Sequence, residues 1–389
     1  MTMKTDSTPW PRFLSFLLAG LFLVAIYLPL AGSLSGMGPG PDLGEKRQIA
    51  NPPSWPGNLK DWGAYPDLFE KYFNDNFGFR NWLVIGRSLL VLHGWTTHPS
   101  VLFDPRSKML FFRRSDPMDP ELLTPPDKKQ LARIGRYIRS NNQWLADHDA
   151  AYLFAAVPSR LSIYYESHPL GSYLHAHRAF DVLKSRAEVR DAGFVDLLDV
   201  LNLHRADPQA IYYRYDTHWT DYGAYLAYLD IISHFNRKGL SLTPVAQTEF
   251  NPCNERLKGD MIGLLGLHIM TNFLETMTFP IRATSSVYRA DLMDEYGRTI
   301  QTVKGDAKTV LNACREARQF KIYGPPSGPR LLVFRDSYTT ALLPYLAEQF
   351  SEATFVWTYP GKTQTPAWFD RTKPNGVLEI FSEYNVLRL

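Results

Sequence analysis

The sequence predicts an α/β domain whose mainly parallel sheet is covered by helices on both faces, carried behind one N-terminal membrane-spanning helix. Three observations predict it. Short apolar runs bounded by Gly and Pro alternate with segments of helical period, the pattern of strands buried on both faces. One uncharged segment near the N-terminus is long enough to cross a bilayer. Two distant segments, 212–225 and 334–338, carry an Asp, a His and a Ser where strands end or helices begin.

The elements follow in chain order. No charged residue stands between Arg12 and Asp42, and residues 13–31 are apolar apart from Ser15. At about 1.5 Å per residue this run nearly spans the ~30 Å hydrocarbon core. Lys4 and Arg12 precede it, so residues 1–12 should form a cytoplasmic tail, 13–32 a transmembrane signal-anchor, and the remainder should be exported. The expected location is the inner membrane, single-pass, with the C-terminal domain in the periplasm. The small residues Ala31, Gly32 and Ser33 leave a cleaved signal, and a periplasmic product, as the alternative. Residues 33–58 hold five Gly and five Pro and read as an extended tether, with the folded domain running from 59 to 389.

Within the domain, Leu131, Ile134, Ile138 and Leu145 recur at helical spacing over 127–146, and the apolar run 151–157 is a buried-strand candidate closed by Pro158. Residues 174–190 read as a helix, 194–198 as a strand and 222–235 as a helix. Residues 285–304 form two extended runs around Tyr296-Gly297, an antiparallel hairpin inserted into the domain. A G-P-P-S-G-P cluster precedes the strand 331–334, followed by a helix over 339–350, a strand over 354–357 and a last strand over 377–381.

The charge balance, 42 basic against 39 acidic residues, carries no signature of a nucleic-acid partner. Two cysteines, Cys253 and Cys314, exclude a disulfide-stapled scaffold, although an oxidising compartment would permit one bridge between them. The chain has no phosphate-cradling G-x-x-x-x-G-K and no strand-to-helix G-x-G-x-x-G. His93, His98, His175 and His177 lack the neighbours a metal site needs, so neither cofactor nor metal is expected.

The chemistry concentrates in two places. In Y-Y-R-Y-D-T-H-W at 212–219, Asp216 and His218 are two apart, so extended backbone would turn both to one side. A carboxylate that accepts the ring N–H sets the tautomer of a general base. In F-R-D-S-Y at 334–338, Ser337 stands where a buried strand meets a helix, at the sheet edge where sites gather and where free N–H groups can meet an oxyanion. Helix capping by Thr220-Asp221 and by Asp336 or Ser337 is the plainer reading of each half. Tyr212, Tyr213, Tyr215 and Trp219 are either core or aromatic faces for sugar rings.

These residues resemble a known family. D-T-H-W at 216–219 followed by D-S-Y at 336–338 is similar to the SGNH-hydrolase-like domain of the alginate O-acetyltransferases and their relatives in exopolysaccharide acetylation. F-N-D-N-F-G-F-R at 73–80, V-P-S-R-L-S-I-Y at 157–164, K-G-D-M at 258–261 and P-N-G-V-L-E-I-F at 374–381 extend the resemblance over roughly residues 60 to 389. It implies a three-layer α/β/α fold with circularly permuted motif order, Asp-x-His before Ser. Ser337 is then the nucleophile, His218 the general base and Asp216 its orienting partner. Arg335 replaces the Gly common before the family's Asp-Ser and Arg160 stands where the family has Lys. With Tyr215 and Trp219, these arginines are the expected substrate contacts. The chain ends eight residues after Phe381, so a C-terminal carbohydrate-binding module is not expected. The implied activity is O-acetyl transfer to hydroxyls of an exported polysaccharide, with a membrane-bound O-acyltransferase as the acetyl source. An acetyl esterase with the same triad and a non-catalytic polysaccharide-binding scaffold are the rivals.

Overall fold

The computed structural model describes residues 12–45, 48–112, 127–168, 171–387 and 389. The chain divides into two compact units, residues 1–98 with 262–273, and residues 99–261 with 274–389.

The first unit contains helices α1 (Arg12–Leu34), α2 (Leu59–Asn76) and α3 (Arg80–Leu92). Over Leu14–Leu34, with a mean hydropathy of 2.3, α1 is long and apolar enough to cross a membrane. The expected cytoplasmic tail lies outside the described residues apart from the backbone of Arg12. The expected tether is not free. The Asn81 side-chain amide donates to the Pro41 carbonyl at 2.8 Å, the Ala50 N–H donates to Asp75 at 2.9 Å, and Leu43 is buried. Asp75 and Asn81 are buried polar side chains of α2 and α3, and the backbone of Pro41 and Ala50 supplies partners they need. The second unit begins at Pro99.

The second unit opens with a hairpin, β1 (Val101–Asp104) and β2 (Met109–Phe112), then α4 (Lys128–Ala146), β3 (Ala151–Val157) and β4 (Phe194–Asp196). Helix α5 (Asp221–Arg237) and a second hairpin, β5 (Arg289–Met293) and β6 (Thr299–Lys304), follow. The chain closes with α6 (Ala307–Glu316), β7 (Gln319–Tyr323), β8 (Arg330–Arg335), β9 (Glu352–Trp357), α7 (Thr365–Thr372) and β10 (Gly376–Ser382). The eight-stranded sheet has the order β6-β5-β7-β9-β8-β10-β3-β4. Its five strands from β9 to β4 run parallel, and β7, β5 and β6 add antiparallel neighbours.

The 285–304 hairpin is present as the antiparallel pair β5 and β6. It extends the main sheet through β7, with a bulge between Thr299 and Gln301. Strand alternation builds the two cores. Leu153, Ala155 and Val157 of β3 face α5, whereas Tyr152, Phe154 and Ala156 face α4.

Two expected helices are broken. Residues 174–190 fall into three short helices, Gly171–Ala176, Ala179–Ser185 and Ala187–Arg190. Arg178 leaves helical geometry between the first two and gives Asp196 two bonds, at 2.5 and 2.9 Å. After β8, a 3₁₀ segment, Ser337–Leu342, precedes a single α-turn, Leu343–Leu346. Pro344 has no N–H to continue a helix begun at Ser337. Cys253 and Cys314 are both free, and Cys314 is buried against the sheet.

Glu379, on β10, is a fully buried carboxyl between β3 and α4 that accepts from Tyr137 at 2.8 Å, Asn141 at 2.9 Å and Tyr152 at 3.1 Å. Burial pushes it up to about 7 against the lowering effect of those three donors. The fold thus favours the neutral form. Its contribution is complete below an unfolded value near ~4.3 and is lost as pH rises toward 7. Glu379→Gln should flatten this stretch of the stability curve, removing on the order of 2–3 kcal/mol of pH dependence, read as unfolding midpoints of both proteins from pH 4 to 8.

Candidate active site

The Asp216–His218 pair does not lie in extended backbone. Tyr212 and Trp219 bridge antiparallel to each other, closing residues 213–218 into a tight loop ahead of α5. Inside it Asp216 folds back on its own chain, and Oδ1 accepts both the His218 backbone N–H at 2.9 Å and His218 Nδ1–H at 2.6 Å. With Nδ1 protonated, Nε2 carries the lone pair, and it meets Ser337 Oγ at 2.8 Å. The structure therefore brings Asp216, His218 and Ser337 into one continuous hydrogen-bonded line.

Burial raises the cost of charge on Asp216, yet the bonds and charge of His218 and the N–H of Asp260 hold its carboxyl well below the usual carboxylate range. Burial also opposes a charged His218, and the Asp216 carboxylate outweighs it, holding the imidazole above its ordinary value. A base strengthened in this way and aimed at a hydroxyl can take its proton during acyl transfer.

The serine is held from the other side. Asp336 accepts the Tyr338 N–H at 3.1 Å, and its Oδ2 accepts the Ser382 N–H at 2.7 Å, the Ser382 hydroxyl at 2.8 Å and the Asn385 amide at 3.0 Å. Asp336 is thus the N-cap expected from sequence and also a clamp between the ends of β8 and β10. The Ser337 N–H takes no partner among the described residues, so it is available to a developing oxyanion.

Of the four expected substrate contacts, three are buried. Arg160 is buried, and its Nη1 donates to the carbonyls of Tyr213 at 2.7 Å, Arg214 at 3.1 Å and Asp216 at 2.8 Å, while Nη2 reaches the Leu110 carbonyl. It braces the 213–216 loop against β2. Arg335 is 0% exposed, sandwiched between Phe320 and Trp357 with Nη2 on the Ala317 carbonyl at 2.7 Å. Strand alternation puts its side chain on the face of Leu331 and Val333, where Nη1 also lies 3.4 Å from Thr340 Oγ1. Trp219 is 1% exposed and donates to the Tyr338 carbonyl at 2.9 Å. Tyr215 is half-buried and keeps an accessible side.

Sequence reasoning missed Asp260. Its N–H donates to Asp216 Oδ2 at 2.9 Å, and its own carboxylate accepts the Thr217 N–H at 3.0 Å and the Thr217 hydroxyl at 2.7 Å. The preceding Gly259 permits this approach, because a Cβ there would lie 2.2 Å from the Tyr215 carbonyl oxygen. The signal was present in K-G-D-M. Asp216, His218 and Asp260 offer possible metal ligands within 4.8 Å of one another, but the hydrogen bonds above already occupy both carboxylates. Tyr338 completes the surround, its hydroxyl on the Thr217 carbonyl at 2.8 Å. A cavity of about 40 Å³ alongside is bounded by Thr217, Tyr338, Phe111, Leu161, Tyr384 and Arg160, so the buried Arg160 also forms part of its wall.

Residues 110–303 match the family model described as the SGNH hydrolase-like domain of the acetyltransferase AlgX. None of the curated proteins matches the chain in sequence. Among solved structures, Bacillus cereus PatB1 with a sulfonyl adduct is similar at 15% identity and a TM-score of 0.53, over 74% of this chain and 97% of that one. A further structure of Bacillus cereus PatB1 gives 15% identity and 0.50, over 67% and 92%. The O-acetyltransferase domain of Pseudomonas putida AlgJ gives 18% identity and 0.42, over 75% and 94%. The PatB1 likeness is one of fold, the SGNH-like α/β architecture.

Two outcomes test this geometry. In ester hydrolysis the acid limb of the pH–rate profile should lie above the ordinary imidazole value. Asp216→Asn should move it to lower pH and cut kcat by about 10³–10⁴. Arg160→Met should cost about 3–5 kcal/mol in denaturant unfolding, because it leaves the loop carbonyls without their buried donor. A variant of undiminished stability that raised only KM would return Arg160 to the substrate.

Proposed function

The chain belongs, through residues 110–303, to the family of the AlgX SGNH hydrolase-like acetyltransferase domain, and on that premise we propose that it transfers acetyl groups to hydroxyls of an exported polysaccharide through a serine acyl-enzyme. The observation that carries the mechanism is the unbroken line from Asp216 to His218 at 2.6 Å and on to Ser337 at 2.8 Å.

Ser337 Oγ attacks the acetyl carbonyl while its proton passes to His218 Nε2, and the departing alkoxide takes that proton as the ester bond breaks. The oxyanion formed meets the Ser337 N–H. An acceptor hydroxyl then attacks the acetyl-serine. His218 takes the hydroxyl proton and returns it to Ser337 Oγ. Asp216 stays ionised and stabilises the imidazolium in both halves. Transfer in place of hydrolysis requires an acceptor held more effectively than water. Tyr215 is the aromatic side chain of the catalytic loop placed to help hold it.

In this reading α1 anchors the protein in the inner membrane with the catalytic unit in the periplasm. A membrane-bound O-acyltransferase supplies the acetyl groups.

The test is the full chain in detergent, given a chromogenic acetyl ester with and without oligosaccharide, with products followed by mass spectrometry. Acetylated sugar is expected, and Ser337→Ala should lower its formation by at least about 10³. Free acetate alone, whatever the acceptor, would make the protein an esterase. Undiminished acetylation by Ser337→Ala would leave only a scaffold.

A further inference from the structure

Two helices of the first unit turn apolar faces to solvent. Along α2 the rings of Trp62, Tyr65, Phe69 and Phe73 recur at three- and four-residue spacing and stack in a ladder, Tyr65 on Phe69 at 6.2 Å and Phe69 on Phe73 at 6.4 Å. Trp62 is 49% exposed and Phe69 47%. The opposite side of the helix carries Lys60, Asp67, Glu70, Lys71 and Asn74. Helix α3 buries Ile85, Ser88 and Val91, and leaves Trp82, Leu83 and Leu90 exposed. Four of the nine tryptophans, Trp55, Trp62, Trp82 and Trp95, fall between residues 55 and 95, and all four are exposed.

The corner between these helices is fastened to the end of α1. The Gly78 N–H donates to Ser33 Oγ at 2.9 Å. Gly32 and Gly78 are so close that a Cβ on Gly78 would lie 2.6 Å from the Gly32 carbonyl carbon, and one on Gly32 would lie 2.7 Å from the Phe79 ring. Phe79 holds left-handed backbone, φ 63°, a conformation uncommon outside glycine, where its ring meets Gly32. The corner therefore sits within one turn of the point where the apolar helix ends.

We propose that α2 and α3 form an interfacial platform whose aromatic face lies in the headgroup layer of the bilayer that α1 crosses. The inference rests on the reading of α1 as a membrane anchor. A lipid surface is the occupant because the face continues from the spanning helix at its exit. It is also rich in Trp and Tyr, whose apolar bodies and polar tips suit that layer, and it opposes a charged side that can stay in water.

The test uses the full chain, reconstituted into phosphatidylcholine vesicles carrying bromine on their acyl chains, in a Trp10→Phe background so that the tryptophan beside the span is silent. Bromolipid should quench the tryptophan fluorescence. Replacing Trp55, Trp62, Trp82 and Trp95 together with Phe, which keeps aromatic bulk, should reduce that quenching by at least about two-fold. Unchanged quenching, or none in a background protein that floats with the vesicles, overturns the platform, as it would if the face instead docked on a protein. Flotation after an alkaline wash reports the span separately. A chain stripped by the wash yet quenched at neutral pH keeps the platform and loses the anchor, and a chain that never binds vesicles loses both.

Discussion

One buried carboxylate organises the active unit. Asp216 accepts three N–H groups, from the His218 backbone, the His218 ring and Asp260. The negative charge can remain there only because those donors stand in for water. The same bonds fix the loop, choose the imidazole tautomer and draw the 258–261 segment under Thr217. Removing the charge would loosen all three together, so loop structure and basicity at His218 are one property.

The rest of the site is fastened along the carboxyl edge of the parallel strands. Asp336 after β8 ties to Ser382 and Asn385 after β10. Arg178 joins Asp196 at the end of β4 to Glu383, which also accepts from Ser162 beyond β3. These buried charges are paired and hydrogen-bonded, the condition under which burial is tolerable. Because Ser337 opens a short 3₁₀ segment, help for an oxyanion comes from a local N–H in fixed geometry and little from a long helix dipole.

Much of this was legible in the sequence. Leu331 to Phe334 and Ala151 to Val157 read as buried strands because a strand covered on both faces needs no polar alternation. The Asp, His and Ser were legible as residue types at chain positions that a strand-to-helix transition makes useful. What escaped depended on direction. Nothing in the string 334–338 says that Arg335 is enclosed between Phe320 and Trp357 while Ser337 meets His218. Arg160 could not be known as a brace before the carbonyls of 213–216 converged on it. Asp260, far along the chain, acquires its role only when Gly259 lets two loops touch. The break at Pro344 was readable, but the apolar run around it gave a stronger and misleading helical signal.

The added hairpin has a consequence for how the molecule meets copies of itself. It leaves the sheet with two unpaired margins, and each is poor material for another strand. At one, β4 is only three residues long. At the other, β6 is longer and well exposed, with Ile300 uncovered, but its bulge between Thr299 and Gln301 breaks the regular row of donors and acceptors, and Lys304 closes it with a charge. Copies of the protein are thereby kept from joining one another sheet to sheet.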